Sequence, residues 1–212
     1  MDGKGTPLLK EIAYQKIKES ILTEEFAPGQ FLSERELIEM LQMSKTPIKS
    51  ALVRLETEGF VTVSSKQGII INDLSVEKIT DIYNLRTALE TYVCEQICGK
   101  LTAEQISLLQ SNLQETEECV RNLDAKAFTE KDHAFHQLLC RFSGNQEIYR
   151  VLLNYYDHLK RITLRHLNKD PHRMKRFWTE HREMFDCLVQ GDPKAIQLMK
   201  DHLQNSKVML FM

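Results

Sequence analysis

The sequence predicts a mainly α chain in two parts, an N-terminal winged helix-turn-helix domain and a C-terminal all-α helical bundle of about six helices. Three observations lead there. Two amphipathic helical segments are separated only by Gln42 and Met43 before a new helix cap at Ser44. A hairpin pattern follows them, and no strand signal appears after Asn72-Asp73-Leu74-Ser75. The domains expected are therefore 1–72 and 73–212.

Gly3, Gly5 and Pro7 mark residues 1–7 as an N-terminal arm. Ile12, Ile17, Ile21 and Leu22 space a first helix from Leu8 to about Glu24, and Phe26-Ala-Pro-Gly29 turns the chain. Ser33-Glu34-Arg35-Glu36 has the form of a capping box, with the serine hydroxyl and glutamate each satisfying a backbone amide, and opens a helix through Leu41. At the next helix Ser44 can cap, and Pro47 fits the first turn because its missing N–H costs nothing there. Ile48, Ala51, Leu52 and Leu55 then recur at helical spacing until Gly59 stops the run. Val61-Thr62-Val63 and Ile69-Ile70-Ile71 flank Ser64-Ser65-Lys66-Gln67-Gly68, which reads as a hairpin, the wing. From Ser75 onward helices are expected at about 75–98, 102–121, 124–142, 145–167, 174–190 and 192–208. Thr102 to Gln105 and Asp192-Pro193 are their clearest starts, and Gly144 and Gly191 their clearest stops.

With 212 residues the chain can bury two small cores, and its 42% hydrophobic and 27% charged content excludes a disordered or fibrous class. No apolar run is long enough to span a bilayer, and MDGKGTPLLK lacks a signal-peptide core, so a cytoplasmic protein without a membrane partner is expected. The five cysteines at 94, 98, 119, 140 and 187 contain no CxxC pair, which argues against a disulfide framework or a cysteine zinc site. A net charge of −2, with nine Lys plus Arg against ten Asp plus Glu in residues 1–72, gives no global field for nucleic acid. Any DNA contact must rest on local placement of Arg35, Lys45, Lys49, Arg54 and Lys66.

In a helix-turn-helix the second helix enters the DNA major groove by its N-terminal end. Lysines there supply point charge to phosphates, small hydroxyls bond phosphate oxygens, and exposed first-turn amides favour anions. Spacing alone equally fits an ordinary amphipathic helix pair whose charges are solvated. In the second domain Asp132 and His136 stand four apart on one helix face, while His181 and His202 lie on later helices. Such a set suits a divalent transition metal, although histidines scattered this widely are as a rule surface or core residues.

Pro28-Gly29, Leu32, Glu34, Arg35 and Leu37, followed by Ser44-Lys45-Thr46-Pro47-Ile48-Lys49 and Ala51-Leu52, resemble the GntR family of bacterial transcription regulators from about Tyr14 to Ile71. That resemblance implies DNA contacts from Arg35, Ser44, Lys45, Thr46 and Lys49, with Lys66 and Gly68 at the wing tip, while Arg54 is a candidate through local charge placement alone. The chain departs from the family in having Lys45 and Lys49 where arginine is usual, and Ser50 where an acidic residue is frequent. Lysine lacks the guanidinium fork that reads guanine, so a different base preference is expected.

Leu85-Arg86, Leu89-Glu90, Phe128, Asp132, Phe135-His136, Ser143-Gly144-Asn145, Glu180-His181, Gly191-Asp192 and His202-Leu203 resemble the ligand-binding domain of the FadR-type subfamily. The resemblance implies a metal (zinc, nickel or manganese) held by Asp132, His136, His181 and His202, and a small organic acid as effector. Arg86 is the candidate to meet the effector carboxylate, with a salt bridge to a neighbouring acid as the equal alternative. His133, His158, His166 and His172 have no matching role and are expected to be structural or solvent-facing. The function expected is an effector-controlled repressor that binds a palindromic double-stranded DNA operator as a homodimer. A direct metal sensor is the alternative; a metal-dependent hydrolase is disfavoured by the absence of HExxH and nucleophile-elbow motifs.

Overall fold

The computed structural model describes residues 8–64 and 68–209, and the chain divides into two units, Met1–Leu74 and Ser75–Met212. The proposed arm at 1–7 and the wing-tip residues Lys66 and Gln67 lie outside the described residues.

In the first unit α1 (Leu9–Leu22) buries Ala13, Ile17 and Ile21, one residue per turn, against the helix Lys45–Thr57. The short strand β1 (Phe31–Leu32) precedes α2 (Glu34–Leu41), whose start is a complete capping box between Ser33 and Glu36. Gln42, in the left-handed region at φ 52°, ends α2, and three residues later α3 (Lys45–Thr57) begins. Ser44 stands at its cap in extended conformation, but its hydroxyl makes no capping hydrogen bond. Pro47, Ile48, Ala51, Leu52 and Leu55 face the core. β2 (Val61–Ser64) and β3 (Gly68–Ile71) form the antiparallel hairpin, with Val61 opposite Ile71 and Ser64 opposite Gly68. β1 adds to the far side of β3, pairing Leu32 with Ile69, a strand the sequence did not signal because its two residues carry no pattern. Ile69 and Ile71 point into the core and Ile70 away from it, as strand alternation requires.

The second unit holds seven helices among the described residues: α4 (Val76–Ile97), α5 (Ala103–Asn122), α6 (Ala125–Phe142), α7 (Gln146–Leu153), α8 (Tyr156–Lys169), α9 (Arg173–Gln190) and α10 (Lys194–Met209). Side-chain caps come from Ser75, Thr102, Asp124 and Asn145, each accepting from amides of the first turn. The single helix expected over 145–167 divides at Asn154-Tyr155, where the Tyr155 amide bonds back to Leu152 and a new turn opens. α6 is the central element, packing against α4, α5, α7, α8 and α9, while α10 lies along α4 and α9. At one end α4 and α9 meet without side chains: a Cβ on Gly99 would stand 3.1 Å from the Gly191 Cα.

Gly68 is fixed by two constraints at once. Its φ is +84°, and an added Cβ would meet the Leu32 carbonyl oxygen at 2.7 Å. Gly68→Ala is therefore expected to destabilise the head by roughly 2 kcal/mol or more, read by denaturant unfolding of the full chain.

Candidate metal centre and nucleic-acid interface

Asp132 and His136 leave the same face of α6, four residues apart, and meet His181 from α9 and His202 from α10. One ligating atom from each lies within 4.8 Å of all the others, and all four residues are buried. The His181 Nε2 is 3.2 Å from both His136 Nε2 and His202 Nε2. Two nitrogens bound to one ion at zinc-like distances stand about 3.0 Å apart at right angles and about 3.4 Å apart in a tetrahedron, so these separations suit a shared ion. Asp132 Oδ1 supplies the fit test: it is buried, makes no hydrogen bond, and lies 3.7 Å from His181 Nε2. A buried carboxylate oxygen without a donor is costly unless a cation meets it.

Two matching relays orient the imidazoles. On α4, Arg86 Nε donates to Glu90 Oε1 at 2.6 Å, and the other Glu90 oxygen takes His136 Nδ1 at 2.6 Å. On α9, Arg176 Nε donates to Glu180 Oε1 at 2.9 Å, and Glu180 Oε2 takes His202 Nδ1 at 2.7 Å. In each relay arginine and glutamate are one helical turn apart, and glutamate reaches a histidine on another helix. Burial opposes the charge of Glu90, but Arg86 and His136 outweigh it and hold this carboxyl well below the usual range. Glu180 is lowered in the same way by His202 and Arg176 against its burial. An ionised carboxylate only accepts, so each Nδ1 carries the proton and each Nε2 presents a lone pair to the cluster. His181 has no such partner; its ring stacks on Phe135 at 4.3 Å, and burial together with the neighbouring imidazoles keeps it uncharged. Burial also pushes the Asp132 carboxyl up, against the pull of the imidazoles and Arg86.

Arg86 is thus a buried ion-pair member, the alternative weighed for it, and it also lines a cleft beside the cluster. That cleft has about 420 Å³ of open space, with Tyr83, Thr163, Arg173 and His202 among its walls. Of the other histidines, His133 and His158 are buried, His166 is half-buried in the same cleft, and His172 is exposed. Glu90 and Glu180, which orient two ligands, were given no role from sequence; their four-residue spacing from Arg86 and Arg176 was the available signal.

On the head, Ser44, Lys45, Thr46 and Lys49 are exposed at the N-terminal end of α3, whose first turn carries no acidic residue. Glu34 of α2 reaches across to them, 3.0 Å from Lys45 Nζ and 3.9 Å from Lys49 Nζ. Arg35 is exposed and pairs with Glu39. Arg54 is placed elsewhere: nine residues beyond Lys45 is about two and a half turns, which is the opposite face of the helix. There its guanidinium bonds Glu11 and Glu58 at 3.0 Å each and covers the Tyr14 ring, fastening α3 to α1. Gly68 is required by its backbone, as described above.

Removing one member of a buried pair strands the other. Glu90→Leu is expected to destabilise the chain by about 3 kcal/mol, because Arg86 then keeps its charge without a partner; urea unfolding at neutral pH measures it.

The family description "Bacterial regulatory proteins, gntR family" matches residues 9–71, and the "FCD domain" matches residues 81–205. An HTH-type transcriptional regulator in an unstable DNA locus of Streptomyces ambofaciens is 33% identical over 195 residues, covering 90% of this chain and 80% of that protein. The HTH-type transcriptional repressor RspR of Escherichia coli K12 is 25% identical, covering 90% of this chain and 84% of its own length. Among solved structures, a GntR transcriptional regulator from Rhodococcus sp. RHA1 superposes with a TM-score of 0.80 at 20% identity, covering 95% of this chain and 97% of that one, a likeness of fold. The chain belongs to the gntR family of bacterial regulatory proteins, carries an FCD domain as its C-terminal part, and is a DNA-binding transcriptional regulator.

Proposed function

We propose that this regulator is a repressor that binds a palindromic operator as a homodimer and is controlled by a small carboxylate effector at a divalent transition metal. The observation that carries the metal reading is the orphaned Asp132 oxygen clustered with the Nε2 atoms of three buried imidazoles. Asp132, His136, His181 and His202 would hold the ion, and the three-nitrogen, one-oxygen set suits zinc, nickel or manganese. When bound, the metal supplies a Lewis-acidic centre to which an effector carboxylate oxygen can attach. The adjoining cleft offers that carboxylate a polar wall from Tyr83, Thr163 and Arg173, with Arg86 beside it already compensated by Glu90.

The ligands come from α6, α9 and α10, so the site ties three helices together. An effector that changes their relative seating shifts operator affinity only if it binds one arrangement better than the other. At the head, Lys45, Lys49, Ser44 and Thr46 would meet phosphates and base edges, with Arg35 and the wing, Lys66 and Gly68, beside them. RspR, named a repressor, supports the repressor reading.

Operator binding measured after chelation, with metal restored, and with metal plus candidate acids tests the scheme. An acid response that requires metal supports it; a response to metal alone identifies a direct metal sensor instead. His181→Ala is expected to lose stoichiometric metal and the stabilisation that goes with it, about 2.7 kcal/mol where free metal is 100 times Kd. Retained stoichiometric metal in that variant removes His181 from the ligand set. Lys49→Ala is expected to weaken operator binding and reduce the log-log salt slope by about 0.9, the signature of one lost phosphate contact.

A further inference from the structure

A groove between α5 and α9 shares no wall residue with the metal cluster, its two relays or the effector cleft. Gln110, Leu113, Gln114 and Glu117 reach it from α5, and Arg182 and Phe185 from α9, around about 380 Å³ of open space. The four α5 residues follow the i, i+3, i+4, i+7 spacing of a single helix face. Leu113 and Phe185 are buried and make the floor. Trp178 Nε1 donates to the Leu113 carbonyl at 3.0 Å, which fixes the two helices against each other beside the groove.

The rim carries both signs of charge, and they do not close on each other. Arg182 stands on α9 and Glu117 on α5, and among the described residues no ion pair joins them. Arg182 Nε leans instead toward Asp186, one turn along its own helix, at 3.7 Å. Both side chains of that pair are more than half exposed, so water screens it, and it engages Nε alone. Gln110, Gln114 and Glu117 make no hydrogen bond or ion pair with another described residue.

Charge narrows the ligand. A simple anion that reaches Arg182 meets the Glu117 carboxylate, and a simple cation that reaches Glu117 meets the guanidinium. A molecule that carries both charges satisfies both walls, and the free end of the arginine fork suits a carboxylate. Seven residues of α5 separate Glu117 from Gln110, a rise of about 10 Å that one extended amino acid covers. The two glutamine amides each donate and accept, so a ligand amide matches them.

We propose that this groove is a binding site, separate from the metal, for a free α-amino acid with an amide side chain. The ligand carboxylate meets the terminal nitrogens of Arg182, its ammonium meets Glu117, and its amide meets Gln114 or Gln110 above Leu113 and Phe185. This goes beyond the carboxylate effector at the metal.

The test is calorimetric titration of the full chain, before and after chelation, with L-glutamine and two analogues. Glutaramate lacks the ammonium, and 4-aminobutanamide lacks the carboxylate. Glutamine should bind saturably, equally before and after chelation, and at least about tenfold more tightly than either analogue, because each removes a charge-assisted contact. Arg182→Ala should weaken glutamine about tenfold and leave 4-aminobutanamide within about twofold; Glu117→Gln should weaken glutamine about tenfold and leave glutaramate within about twofold. Thermal unfolding should coincide for both variants and the original chain, since neither side chain is buried. Glutamine that does not saturate, that is lost on chelation, that binds no better than its analogues, or that binds both variants as well as the original chain overturns the proposal. If Arg182→Ala alters the sedimentation of the chain and leaves glutamine binding unchanged, the groove is a contact between copies and the proposal falls.

Discussion

Three imidazoles and a carboxylate converge in an apolar helical interior, and the cost of keeping them there shapes the rest of the C-terminal unit. Asp132 cannot ionise there without compensation, and the imidazoles must turn lone pairs toward one point. The two arginine–glutamate relays meet the second demand from outside, each glutamate holding a ring by its Nδ1 while its arginine balances the charge. That design needs α4 and α9 to flank the cluster, and it needs α6 at the centre to carry two of its four side chains at once. Apolar side chains of similar volume would be easier to bury than these groups, so the arrangement is evidence of use rather than of stability.

The head is organised by the opposite principle, with its ionic network placed away from the recognition surface. Lys18, Tyr14, Glu58, Arg54 and Glu11 connect α1 to α3 through a chain of short contacts. Glu58 stays charged although burial opposes it, because Lys18, Tyr14 and Arg54 all donate to it. The far end of α3 is thereby anchored, and its N-terminal turn stands clear with lysines and hydroxyls outward.

Local chemistry made much of this fold legible. The capping boxes at Ser33 and Thr102 and the positive-φ stops at Gly144 and Gly191 depend on residues within one turn, so the sequence states them directly. The division at Asn154-Tyr155 was hidden because Leu152, Tyr156, Leu159 and Ile162 keep helical spacing across it, with no glycine or proline to mark the bend. Both helices on either side of it pack against α6, and packing has no one-dimensional signature. The metal quartet is similar: Asp132 and His136 share a visible period, but His181 and His202 join them only through tertiary structure, and the residues alone left the reading open. Arg54 is a different case, held by Glu11 and Glu58 on the face of α3 away from Lys45. Its angle from Lys45 was calculable from helix geometry, and reading it for its charge alone passed over that angle.

Glu34 has a quieter effect than any ligand. It places a carboxylate against both Lys45 and Lys49, so a polyanion approaching this face must evict an internal counter-charge before either lysine is released to it. The exchange trims the electrostatic gain of each encounter, and a near-neutral head adds little long-range pull. Where Lys45 and Lys49 meet phosphates as proposed, indiscriminate adhesion to any stretch of duplex would be held down, leaving shape and base-edge fit a larger share in deciding where the molecule stays.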